Sequence, residues 1–105
     1  MSALTDYARG KPCLIRLPMQ CTFLDEQTVA CHVPLMGYRG TGLKMDDWFF
    51  AFGCHQCHGI CDGRIKCDLD REFVRICLLE AMIRTHAYIL EHNPMLLANF
   101  AKKAA

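Results

Sequence analysis

No stretch of this chain is apolar over the roughly 20 residues needed to cross a bilayer, which excludes a membrane-spanning helix. The N-terminal residues Met1-Ser2-Ala3-Leu4-Thr5-Asp6 lack the basic and apolar regions of a secretory signal. A soluble protein in a reducing, cytoplasmic setting is therefore expected, with no membrane partner. An excess of charge is missing as well: 12 Lys and Arg against 11 Asp and Glu leave a net charge of +1. Such a balance supplies no global attraction for nucleic acid, so any affinity of that kind must come from local charge. Internal repeats and low-complexity tracts are absent too, which points to a single domain over 1–105.

Cysteine, by contrast, is abundant: the 105 residues include eight. A core of this size gives limited stability by itself, and a bound metal is a common supplement. In a reducing compartment the thiols are better explained by zinc than by disulfides. Cys54 and Cys57 are separated by two residues, the spacing at which a tight turn points both sulfurs at one tetrahedral ion. Cys13 and Cys21 form a second pair, and a zinc held by all four would pin the base of a hairpin. Cys61 and Cys67 are alternative ligands, and His58 can replace one thiolate. Cys77 reads as a small buried hydrophobe within a helix.

Along the chain, Gly10 and Pro12 mark a turn before a short strand and turn over 13–21. A strand over 28–33 delivers His32 near its end. The loop over 34–44 contains three glycines with Arg39 and Lys44, cations suited to phosphate. It lacks the Gly-Lys-Ser/Thr ending of a nucleotide-binding loop. Asp46 and Asp47 precede the aromatic run Trp48 to Phe52, read as a buried second strand leading into Cys54. A short helix beginning near Cys57 would place His58 and Asp62 four residues apart on one face, and Gly63 would close it. Arg64 and Lys66 add cations beside this turn.

From Asp68 or Asp70, either able to cap a helix, Arg71 to Glu91 contains neither proline nor glycine and predicts a long helix ended by Asn93-Pro94. Its apolar residues fall on two sides, Phe73, Ile76 and Ile83 on one and Val74, Leu78 and Ala81 on the other. The first expectation is that one of these packs on the segment over 95–100 or on a second copy of the chain. The tail over 101–105 is expected to fray.

These positions supply the parts that phosphodiester hydrolysis requires: a base for water, a cation on the scissile phosphate, and cationic contacts along the strand. His32 can be the base, His58 and Asp62 can hold a divalent ion, and an Asp can orient the imidazole. Arg39, Lys44, Arg64 and Lys66 are the candidate nucleic-acid contacts. The competing reading is a zinc-stabilised nucleic-acid- or protein-binding module without cleavage activity.

A strand-end His, a loop Asp, and Cys-x-x-Cys-His opening a short helix together resemble the HNH, or ββα-metal, endonuclease finger in a zinc-stapled form. The segments Ala-Arg-Gly-Lys-Pro-Cys at 8–13, Cys-His-Val-Pro-Leu at 31–35, Gly-Thr-Gly-Leu-Lys at 40–44 and Cys-His-Gln-Cys-His with Asp62 resemble the YbcO-like family of prophage-encoded proteins inferred to be nucleases. The resemblance implies an α+β fold, with a zinc-stapled ββα finger over 8–67 followed by a helical part over 68–100. It also implies a DNA endonuclease of phage or prophage recombination or DNA processing, working in the bacterial host. Zinc would be structural and magnesium or manganese catalytic, with His32 as base, His58 and Asp62 as ligands, and Asp47 in the central Asn-like position.

Overall fold

A computed structural model of the chain describes residues 3–34 and 47–104. The elements run α1 (Ala3–Tyr7), a one-turn 3-10 helix (Asp25–Gln27), β1 (Val29–His32), β2 (Phe50–Gly53), α2 (His55–Cys61), α3 (Arg71–His92) and α4 (Pro94–Ala104). This is a mixed α+β arrangement, as the sequence implied. Arg39, Lys44 and Asp46, expected in the glycine-rich loop and beside Asp47, lie outside the described residues.

The strands pair antiparallel, with His32 opposite Phe50 and Val29 opposite Gly53. β2 is buried along its whole length because α3 packs across it. Tyr88 of α3 meets the Phe52 ring edge-on at 5.4 Å. The outer edge of β2 needs partners, since a buried amide or carbonyl left unpaired is costly. Phe52 N–H donates to the Thr85 hydroxyl at 3.0 Å, and the Phe52 carbonyl accepts from Leu14 N–H at 2.8 Å. Arg84 then donates to the Leu14 carbonyl at 2.8 Å and 3.2 Å. Two adjacent residues of α3 thus close a sheet edge through the segment preceding the first strand.

That segment, 13–21, was expected to include a short strand, but it folds as turns instead. Arg16 and Met19 hold φ of 53° and 63°, a backbone region incompatible with a continuous strand. The aromatic run also enters the sheet later than expected. Trp48 precedes β2, with its ring stacked on His86 at 3.8 Å and the His86 Nε2–H donating to the Trp48 carbonyl at 2.7 Å. Phe100 of α4 lies beyond Trp48 at 6.3 Å.

α3 begins where the capping logic places it. The Asp70 carboxylate accepts from Phe73 N–H at 3.2 Å, fixing the first turn. Val74, Leu78, Ala81, Thr85 and Ile89 are buried. Phe73, Ile76 and Ile83 remain exposed, Ile83 to 65 %. α4 does not cover them; its Leu96, Leu97 and Phe100 join the main core instead. α4 continues to Ala104, in keeping with the high helix propensity of alanine and lysine and the absence of a breaker after Pro94, and Ala105 lies outside the described residues.

Candidate active site and metal centre

α2 is the element on which both candidate centres depend. Cys54 is its N-cap, and the thiol accepts from Cys57 N–H at 3.4 Å. The helix therefore starts at His55, two residues earlier than the sequence spacing suggested, because a sulfur does the work that a hydroxyl or carboxylate usually does at this position. Gly59 lies against Ile65: a side chain at position 59 would collide with the Ile65 methyl, and Ile65 N–H donates to the Gly59 carbonyl at 3.0 Å. Gly63, with φ of 87°, turns the chain back after the helix.

The sulfurs of Cys13, Cys21, Cys54 and Cys57 lie within 4.8 Å of one another, the expected four. The Cys21 and Cys54 sulfurs are 3.9 Å apart. Four sulfurs around one tetrahedral zinc at its usual bond length stand about 3.8 Å apart, so the donor set fits such an ion. Phe23 N–H donates to the Cys21 sulfur at 3.4 Å, opposing the burial that pushes this thiol up. A hydrogen bond from the Cys57 thiol pulls Cys13 down to about 4, and that same bond, with burial, pushes Cys57 up. Burial pushes Cys21 up to about 12. Cys54 is also held below its ordinary value, burial there being outweighed by hydrogen bonds that include the one from the Cys57 amide. Two thiols are thus lowered and two raised, and ionising all four calls for a cation among them. Among the described residues, Cys61, Cys67 and His58 are not part of this cluster.

The second centre is a cleft of about 890 Å³. It is lined by Cys31, His32, Val33 and Pro34 at the end of β1, by His58, Cys61 and Asp62 of α2 and its C-cap, and by residues of the opening turns of α3 between Asp70 and Leu79. Three of the four expected catalytic residues, His32, His58 and Asp62, therefore share one cavity. Asp47 heads the segment before β2 and is not among the residues lining the cleft.

His58 Nε2 and Asp62 Oδ2 are 3.7 Å apart across one helical turn. Burial holds the His58 imidazole below its ordinary value, with the Asp62 carboxylate pulling weakly the other way. Hydrogen bonds from Arg64 hold the Asp62 carboxyl below the usual carboxylate range. A neutral imidazole and an ionised carboxylate are the forms that bind a metal. Two protein donors suit a hard divalent ion, which keeps waters and takes further oxygens from a phosphate. Arg64 Nε sits 2.9 Å and 3.2 Å from the two Asp62 oxygens, so this cation is committed to the carboxylate. Lys66 is exposed. Burial pushes the Cys31 thiol up, and pushes Cys61 up to about 12, leaving both cleft cysteines protonated and poorly suited to nucleophilic attack.

The α3 wall adds residues that the sequence did not single out, above all Arg71 and Arg75. Arg71 donates to the carbonyls of Ile60 at 2.7 Å and Cys61 at 3.1 Å, tying down the end of α2. Their i, i+4 spacing places both on one helix face, but only the docking of α3 against α2 brings them into the lining of the same cleft as the histidines.

Fold and site together describe a small α+β domain with a four-thiol cluster that can hold zinc and a separate histidine-carboxylate cleft. The family model described as "Putative nuclease YbcO" matches residues 2–93, and the chain belongs to that family. It is 35 % identical over 93 residues to the protein of that name from Escherichia coli strain K12, covering 89 % of this chain and 96 % of that one. The protein of the same name from Enterobacteria phage 82 gives the same identity and coverage. A solved structure described as a putative bacteriophage protein from Escherichia coli K-12 superposes with a TM-score of 0.66 at 29 % identity, covering 81 % of this chain and 93 % of that one. These relatives support a nuclease-like role at the level of the family. No described helix is long and apolar enough to cross a membrane.

Proposed function

We propose that this chain is an HNH-type, metal-dependent endonuclease that hydrolyses DNA phosphodiester bonds during phage or prophage recombination or DNA processing, in the cytoplasm of the bacterial host. The observation that carries this reading is the common cleft of His32, His58 and Asp62, in a family named for nuclease activity. His32, exposed at the end of β1, takes the proton of the attacking water. His58 Nε2 and an Asp62 oxygen would hold magnesium or manganese. When bound, that ion supplies positive charge to the scissile phosphate and its leaving oxygen. With Asp62 engaged by an ion, Arg64 would be free to join Lys66, Arg39 and Lys44 as contacts to backbone phosphates. Asp47 orients an imidazole. The domain organisation is one finger over 8–67 with its helical part over 68–100, paired with a second copy through the exposed side of α3.

A second reading, a zinc-stabilised binding module without cleavage, is favoured by the Arg64–Asp62 pairing, which occupies a proposed ligand. Both readings meet in one assay. Zinc-loaded protein is incubated with supercoiled, linear and branched DNA, with magnesium, manganese or no added divalent ion, alongside His32→Ala. The nuclease reading expects cleavage that requires added metal and is lost in His32→Ala, with zinc content unchanged. DNA binding without cleavage on any substrate refutes it in favour of the binding module.

A further inference from the structure

We infer that Arg75 forms a phosphate subsite on the α3 wall of the cleft, taking a backbone phosphate of the nucleic acid next to the one attacked. This rests on the nuclease reading and deepens it, because it names a substrate contact not anticipated in the loop or beside α2.

The charged residues of that wall have distinct commitments. Asp70 accepts from the amide of Phe73 as the helix cap. Arg71 is held by two carbonyls at the end of α2. Glu72 lies in the first turn, where a carboxylate complements the helix dipole. Arg75 is exposed, and among the described residues neither an ion pair nor a hydrogen bond engages its guanidinium. His32, His58 and Asp62 line the same cavity.

A polyanionic strand lying across His32 and His58 must bring phosphates past the α3 wall, where the two carboxylates would repel them. An uncommitted guanidinium there meets the need, since its planar fork matches two phosphate oxygens at once. Net charge sharpens the point. With a chain total of +1, binding depends on a few well-placed cations rather than on a diffuse basic surface. Arg64, next to α2, is spent on Asp62 until that carboxylate is taken by something else.

The test measures binding apart from cleavage. Fluorescence anisotropy of a short fluorescein-labelled DNA duplex is followed without added magnesium or manganese over a series of salt concentrations. It compares zinc-loaded wild type with Arg75→Ala, Arg75→Lys and, as a control on distant α4, Lys102→Ala. Arg75→Ala should bind about tenfold more weakly, with the slope of log affinity against log salt shallower by about one. Arg75→Lys should recover much of the loss, because a point charge replaces the fork, and Lys102→Ala should bind as wild type does. Zinc content and circular dichroism should be the same in all four proteins. Wild-type affinity in Arg75→Ala overturns the inference, as does loss of helical signal, which would make Arg75 a support of the fold. Failure of the nuclease reading looks different: wild type then binds DNA with the Arg75 dependence but never cleaves it, or binds none at all, and the second result removes the subsite too.

Discussion

Replacing Thr85 with valine is the most direct probe of how α3 is locked to the sheet. The two side chains have nearly the same shape, so the change removes one hydroxyl and little packing. That hydroxyl accepts the Phe52 N–H at 3.0 Å, and both residues are fully buried. Water therefore cannot replace the lost acceptor, and the stranded amide should cost about 1–3 kcal/mol. For a domain near this size that corresponds to a fall in Tm of roughly 5–20 °C. Thr85→Ser is the companion variant: it keeps the acceptor and removes a methyl group, at a cost of about 0.5–1.5 kcal/mol. The assay is thermal unfolding followed by far-ultraviolet circular dichroism at a fixed free zinc concentration, since metal bound to the native state would otherwise shift the midpoint. The valine variant should melt below the serine variant, although valine is the more apolar residue. A valine variant as stable as wild type would refute the argument that Thr85 closes the β2 edge.

Cys54→Ser should lose bound metal and unfold or aggregate, since it removes a ligand and alters the cap of α2 together; metal analysis with circular dichroism checks this, and a well-folded, metal-free variant would defeat the clasp. Burial holds His86 below its ordinary value of 6.5, with the bond to the Trp48 carbonyl opposing weakly. Its stabilising contribution is thus fully present above that pH and is lost as pH falls through the lower folded value, because the unfolded chain binds the proton first. Melting between about pH 7 and about pH 5 should show this loss, with His86→Phe flattening it, and a titration of Trp48 fluorescence should report a midpoint below 6.5. Sedimentation velocity should find a dimer that Ile83→Lys converts to a monomer; a wild-type monomer at high concentration would refute pairing through α3.

The legible parts of the fold were those written in local chemistry. Asp70 and the uninterrupted run to Glu91 announced α3, and Asn93-Pro94 its end, because capping and breaking act within a turn or two. Cys54-x-x-Cys57 and the His58, Asp62 spacing were readable for the same reason. The partnership of Cys13 and Cys21 was read from a thiol at each end of a short strand and turn, but the turns that bring them together rely on left-handed backbone at Arg16 and Met19, neither a glycine, which no local rule announced. What escaped was tertiary. Arg84 and Thr85 look like unremarkable helix positions until the edge of β2 is seen to lack partners. Arg71 and Arg75 look like solvent cations until α3 is docked across the end of α2. Trp48 reads as one more strand residue, yet its stacking on His86 depends on a residue 38 positions away.

Cys54 lends one sulfur to two tasks, closing the thiol cluster and capping α2, and the far end of that same short helix presents His58 and Asp62. One atom therefore links the two ends of α2: a change at the Cys54 sulfur that loosens the first turn of the helix would also disturb the placing of His58 and Asp62 further along it.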